Sequence, residues 1–154
     1  YIPAGGDVPD TKLNPKFEHK VSFLSEIKDK LFKSETKKTI MVGDFNVAPL
    51  PNDVWSHKAL INVVSHTKIE TDLLSEIKKR GKWIDTFREI NPSGKLYSWW
   101  SYRARDWKVS NRGRRLDHIW ASQDLKSNLR KVQIFSEARG WERPSDHVPI
   151  QAIF

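Results

Sequence analysis

The chain has 154 residues, the size of one domain, and carries 27 Lys and Arg against 19 Asp and Glu, a formal charge of +8. Seven Trp, seven Phe and three Tyr are core material that a disordered tail lacks, and no apolar run approaches the roughly 20 residues that span a bilayer, so no membrane partner is expected. The absence of Cys excludes a disulfide scaffold and a thiolate metal site.

The opening Tyr-Ile-Pro-Ala-Gly-Gly-Asp is neither a signal nor a transit peptide and reads as the middle of a longer chain. Residues 1–13 read as loop, with Pro3, Gly5, Gly6 and Pro9 as breakers. Asn14-Pro15 is an N-cap followed by a first-turn proline, and Phe17, Val21, Leu24, Ile27 and Leu31 form one apolar stripe, which predicts a helix over 15–33. Residues 39–42 read as a buried strand ending at Gly43, and 47–57 as loop. A helix is predicted over 70–80 with Gly81 as its stop, and a short one over 84–90 before the turn cluster Asn91-Pro92-Ser93-Gly94. Strands are predicted over 97–102, 115–121, 129–135 and 148–154. Without strict strand–helix alternation, the mixture favours a layered α+β sandwich over a doubly wound sheet.

Three short motifs could carry chemistry. In Gly43-Asp44-Phe45-Asn46, continued extension would put Asp44 and Asn46 on one side and Phe45 in the core. Asp44 could then accept a proton or bind a cation, and Asn46 could hold water or a phosphate oxygen; a plain turn ending the strand explains the residues equally well. In Asn111-Arg112-Gly113-Arg114-Arg115-Leu116-Asp117-His118, Arg115 and Asp117 share one strand face, an arrangement that an ordinary ion pair also explains. His118 shares the other face with Leu116 and Trp120 and reads as a packed core histidine. In Pro144-Ser145-Asp146-His147, an acid and a group titrating near neutrality precede the last strand, which Pro149 confines to a sheet rim. His19, His57 and His66 read as isolated packing or surface residues.

The positive excess points to a polyanion, nucleic acid before an acidic membrane surface. The Lys-rich stretch 28–38 reads as a solvated face, whereas Arg103, Arg105, Lys108, Arg112, Arg114 and Arg115 are interleaved with Trp99, Trp100, Tyr102 and Trp107. Guanidinium groups among aromatic rings suit phosphate contact and stacking. The chain has no His-Glu-x-x-His, no Lys-Ser/Thr phosphate loop and no nucleophile elbow.

Taken in order, Gly43-Asp44-Phe45-Asn46, the Trp-rich run 97–103, Asn111-Arg112-Gly113-x-Arg115-Leu116-Asp117 and Ser145-Asp146-His147 resemble the exonuclease III-type apurinic/apyrimidinic endonucleases of the DNase I-like endonuclease/exonuclease/phosphatase superfamily. Residues 83–88 and the opening Tyr1-Ile2-Pro3 share the likeness, which runs the length of the chain. The resemblance implies part of a single domain with a four-layer αββα sandwich, its N-terminal half missing. It implies Asp44 as acid/base residue, Asn46 as positioner of water and phosphate, Asp117 as orienter of His147, His147 and Tyr1 at the scissile phosphate, and Asp146 as a ligand of Mg²⁺ or Mn²⁺. Trp99 and Leu116 would line a pocket for a base-free sugar, and Tyr102, Arg103, Asn111, Arg112 and Arg114 would join the DNA contact. The expected partner is double-stranded DNA with abasic sites or 3′ ends, and the expected setting is the bacterial cytoplasm at the nucleoid.

Two departures accompany the likeness. The family's first half supplies an Asn and the Glu that is its principal metal ligand, so the chain alone is expected to be inactive and to dimerise or to need that half. Arg114 stands where relatives often carry an apolar residue, which replaces a hydrophobic wall with a potential phosphate contact. Alternative readings are a less selective DNase, a phosphatase of the same superfamily, or a non-catalytic DNA-binding module.

Overall fold

The structure is a computed structural model that describes residues 1–31 and 37–154. Helix α1 (Pro15–Glu26) begins as its sequence dictates, with the Asn14 side chain accepting from Lys16 N and Pro15 in the first turn. It passes into a wider π turn over Ile27–Leu31 instead of continuing as a regular helix. The predicted end at 32–33, the Leu31 side chain and the middle of the Lys-rich stretch lie outside the described residues.

A three-stranded antiparallel sheet follows, in the order β1 (Ile40–Asp44), β3 (Asp117–Ser122), β2 (Trp83–Asp85). A second sheet pairs β4 (Lys131–Ile134) with β5 (Ile150–Ile153), and β5 starts immediately after Pro149, which has no N–H for a ladder. Helix α3 (Lys68–Arg80) starts two residues before the predicted 70, because Thr67 and Glu70 form a capping box, and Gly81 caps its end. Leu24 of α1 and Leu74 and Ile77 of α3 close over Phe45, Trp83 and Trp120 in the main core cluster.

Several predicted elements change. The single helix over 84–90 is a strand and a helix: Trp83 and Ile84 pair with Ser122 and Ala121, then the Asp85 carboxylate caps Phe87 N and Arg88 N to start α4 (Thr86–Ile90). The loop at 47–57 contains a short 3₁₀ turn (Pro51–Asp53) and reaches into helix α2 (His57–Leu60), capped by Ser56. Residues 97–102 form no strand; Trp99 alone makes bridges, to Arg114 and to His147. The rings explain this, because Tyr97 and Trp100 pack with Ala138 and Val148 in a separate cluster instead of alternating across a sheet.

Arg115 lies before β3 and does not pair with Asp117. Its guanidinium, 1% exposed, grips Asp53 through Nε (2.7 Å) and Asp85 through Nη2 (2.7 Å), while Arg88 Nη2 adds 2.5 Å to Asp53. Arg115 is therefore buried structure and not part of a phosphate-binding surface. His57 and His66 are not isolated either: His57 Nδ1 meets His66 Nε2 at 2.8 Å, and His66 Nδ1 meets Ala48 O at 2.6 Å.

Candidate active site

Register creates the site. Asp44 on β1 stands directly opposite Asp117 on β3 at the same end of the sheet. Two like charges facing each other across neighbouring strands repel, so the pair needs a proton or a cation. His147 supplies part of that need: its Nδ1 is 2.8 Å from Asp117 Oδ2, and its Nε2 is 3.9 Å from Asp44 Oδ2. Ligand atoms of Asp44, Asp117 and His147 all lie within 4.8 Å of one another.

The strand stops at Asp44, and Asn46 turns into the left-handed region at φ 50°. The extension assumed from the sequence therefore ends, yet the two side chains still meet. Asn46 N donates to Asp44 Oδ1 (2.8 Å) and Asn46 Nδ2 donates to Asp44 Oδ2 (2.8 Å), while Phe45 enters the core as expected. Small polar residues tolerate this backbone best, and Asn here uses its amide to lock the turn.

The charges respond to these contacts. Burial pushes the Asp44 carboxyl above its usual range and the Asp117 charge adds to the push, against the hydrogen bonds from Asn46. Burial works against the His147 imidazolium, but the hydrogen bond and charge of Asp117, with Asp44 and Asp146, outweigh it and raise its pKa. His118 is the core histidine expected, stacked on Phe45 at 5.0 Å, and burial, aided by Arg115, lowers it to about 4.

Ser98 is a residue the sequence reading did not single out. Its hydroxyl donates to Asp117 Oδ2 at 2.6 Å and accepts from Asp117 N at 3.0 Å, so it fixes the carboxylate that holds His147. Nothing local in Tyr-Ser-Trp announces this, because the partner lies 19 residues away.

The acidic cluster opens into a cleft of about 770 Å³ whose walls include Trp55, Trp99, Arg103, Arg112 and Arg114. Arg112 lies over the Trp55 ring at 4.9 Å and Arg114 over Trp99 at 5.3 Å. Arg114 Nη1 is tied to Val64 O (3.0 Å) and Ser65 Oγ (2.7 Å). Asp146 lines the same cleft but stands outside the three-residue cluster, its Oδ2 accepting from Trp99 Nε1 at 2.9 Å. Tyr1 and Leu116 also line the cleft. Asn111 and Tyr102 do not: Asn111 accepts from Trp100 Nε1 (3.0 Å) and the Tyr102 hydroxyl donates to Pro144 O (3.0 Å), so both brace loops that carry cleft residues.

Residues 25–147 match the Endonuclease/Exonuclease/phosphatase family. The chain belongs to that family. As a member of it, the chain is 30% identical over 151 residues to an exodeoxyribonuclease III of Haemophilus influenzae, covering 90% of this chain and 55% of the relative. It is 34% identical over 122 residues to an exodeoxyribonuclease of Bacillus subtilis, covering 77% and 45%. An AP endonuclease from Archaeoglobus fulgidus superposes over 100% of this chain and 59% of its own at a TM-score of 0.91 with 29% identity. A 3′ phosphatase from Neisseria, bound to a product DNA hairpin, covers 100% and 58% at a TM-score of 0.83 with 27% identity. The fold is thus that of the DNase I-like AP endonucleases and exonucleases, and the chain spans about half the length of these relatives.

Proposed function

We propose that this family member provides one part of a divalent-metal-dependent phosphodiesterase of DNA base-excision repair, incising duplex DNA 5′ to abasic sites and trimming or dephosphorylating 3′ ends. The observation that carries the reading is the Asp44–Asp117–His147 cluster at the floor of a cleft walled by indole-stacked guanidinium groups. Arginines on one wall suit backbone phosphates, and aromatic faces suit a sugar or base. The product DNA hairpin on the Neisseria 3′ phosphatase supports DNA as the partner.

Each residue has a role in this reading. Asp44, kept partly basic by burial and the Asp117 charge, handles the proton of the attacking water or leaving oxygen. Asn46 positions that water and the phosphate. Asp117, braced by Ser98, orients His147 towards the phosphate, and the contacts with Asp117 and Asp44 favour the protonated imidazole. Tyr1 lies at the cleft mouth, 79% exposed, where it meets the phosphate. Arg103, Arg112 and Arg114 contact flanking phosphates, Trp99 and Leu116 face the base-free sugar, and Tyr102 and Asn111 hold the DNA-facing loops.

The donor set fits a hard divalent cation. Two facing carboxylates supply oxygen ligands and carry charge that His147 offsets only in part, with Asp146 in the same cleft. Mg²⁺ or Mn²⁺ bound there would neutralise phosphate charge and acidify bound water. A second copy of the chain could also cover the outer edge of β1, where Val42 is 61% exposed.

The test is a substrate panel at fixed salt: duplex with one abasic site, duplex with a 3′ phosphate, and intact duplex. It is run on the chain alone and on the chain mixed with the polypeptide matching the uncovered part of the Haemophilus relative. The reading expects Mg²⁺-dependent cutting beside the abasic site in the mixture, lost in Asp44→Ala. Equal cutting of intact duplex would favour a less selective DNase. Salt-sensitive binding without cutting in any mixture would leave a DNA-binding module.

A further inference from the structure

Lys20 is the one fully buried lysine among the described residues, at 0% exposure in the middle of α1. Burying an ammonium is costly, and a packed apolar residue at such a position is often as stable or more stable. Leu24, Leu74 and Ile77 carry the apolar part of the α1–α3 contact beside it.

Its three donors are all engaged. Lys20 Nζ reaches Glu70 Oε1 at 2.5 Å, Asn46 O at 2.7 Å and Ala4 O at 3.2 Å. Glu70, also fully buried, accepts from Ser65 N (3.0 Å) and from Thr67 N (3.1 Å) and Thr67 Oγ1 (2.6 Å), so it is itself immobilised. The ion pair thus reaches from two helices to two segments that line the cleft. Ala4 and Asn46 are both lining residues. The Lys20 stem is tightly packed as well: a Cβ on Gly5 would come within 2.8 Å of Lys20 Cδ.

Asn46 needs such support. Asn tolerates φ 50° better than most residues, but such a turn keeps one geometry only where the surrounding contacts fix it. Its amide is held by Asp44, at the end of β1, and by Ile2 O (2.9 Å), whereas its own backbone carbonyl is tied to the helices through Lys20.

We propose that Lys20, backed by Glu70, is a positioning residue that fixes the turn at Asn46 and so sets the Asn46 amide against the Asp44 carboxylate. It touches no substrate. Its effect reaches the reaction through Asn46, and only that last step rests on the phosphodiesterase reading.

The test uses the ¹⁵N-labelled chain and the double variant Lys20→Met with Glu70→Gln, which removes both buried charges and strands neither. The Asn46 side-chain amide signal, assigned by its disappearance in Asn46→Asp, is the readout. The indole N–H of Trp100, in a separate core cluster, reports the fold. The expected result is that the Asn46 amide protons lose their dispersed positions and exchange faster with water while the Trp100 signal stays. An unmoved Asn46 amide in the folded double variant overturns the proposal. Should the Trp100 signal vanish too, the unaltered chain decides: a through-hydrogen-bond coupling between Lys20 ¹⁵Nζ and Asn46 ¹³C′ is expected, and its absence overturns the proposal. In any mixture that cleaves DNA, the double variant should lower kcat by about 100-fold with KM for DNA unchanged. A change in KM alone would contradict the proposal, and an uncleaved substrate with the unaltered chain would refute the phosphodiesterase reading while the amide readout still judges Lys20.

Discussion

Replacing Asp53 with Ala should be among the most damaging single changes in the chain, although Asp53 touches nothing in the cleft. Its carboxylate, 0% exposed, accepts from Arg88 Nη2 (2.5 Å), Arg115 Nε (2.7 Å), Arg115 Nη2 (3.1 Å) and Leu50 N (3.0 Å). With Asp85 on the other side of Arg115, the network balances two guanidinium groups against two carboxylates. Arg115 holds both acids ionised against the burial that would raise them. Removing one acid leaves a net buried positive charge and an unpaired Leu50 N–H. Breaking a buried pair in this way costs about 3–5 kcal/mol. For a domain of this size each kcal/mol moves Tm by about 2–4 °C, so the melting temperature should fall by about 6–20 °C. Thermal unfolding followed by circular dichroism at pH 7 reads the shift. Because Arg115 N also donates to Asp53 O at 2.8 Å just before Leu116 and Asp117, the His147–Asp117 contact should loosen as well. A Tm within about 2 °C of the parent would refute the reasoning, since it would mean the guanidinium groups find water or other partners at no cost.

Other outcomes follow from the same geometry. His118 is neutral and buried with a pKa of about 4 against an ordinary 6.5, so its contribution to stability is complete above 6.5 and is lost as pH falls towards 4. That difference corresponds to about 3 kcal/mol, and His118→Phe should flatten the acid limb of a urea-unfolding series measured between those limits. His147 has the opposite sign: its raised pKa adds stability below 6.5 that disappears as pH rises through the folded value. Asp117→Asn should shift the His147 ring titration down in an NMR pH series, and an unchanged midpoint would disprove the dyad. Gly113→Ala should cost about 1–3 kcal/mol, because an added Cβ would sit 2.6 Å from the Tyr97 ring; a differential scanning trace matching the parent would show that the ring moves freely.

The parts of this fold that were legible in the sequence were those whose cause is local. The Asn14-Pro15 cap, the start of the apolar stripe and the Gly81 stop all depend on residues within a few positions, whereas the strand expected over 148–154 begins only after Pro149. His118 turned inward because strand side chains alternate, and Phe45, just past the end of β1, enters the core before the chain turns at Asn46. The Thr67–Glu70 capping pattern was also present and would have placed the start of α3 correctly. What was not legible depends on partners far along the chain. Asp53 looked like a turn residue and is the centre of a buried ion network, with Arg115 lying 62 residues away. Lys20 falls outside the apolar stripe read in the sequence and is buried because Glu70 meets it from α3. The run 97–102 has strand-like composition, yet its Tyr97 and Trp100 rings are claimed by a second core cluster. At the site, Asp44, Asp117 and His147 were readable as candidates, but Asp44 and Asp117 meet through the β1–β3 register and His147 joins through its bond to Asp117, which no local pattern states.

The central claim is that the Asp44–Asp117–His147 cluster is the reacting centre for a DNA phosphodiester. Its most direct test is the single-turnover rate of strand cleavage at one abasic site, measured in Mg²⁺ and in EDTA for the parent and Asp44→Ala, each supplemented with the polypeptide matching the rest of the Haemophilus relative. The account predicts cleavage by the parent in Mg²⁺, none in EDTA, and a loss of about 10²–10⁴-fold in the variant with DNA binding retained. Cleavage that persists at the parental rate in Asp44→Ala or in EDTA would contradict it.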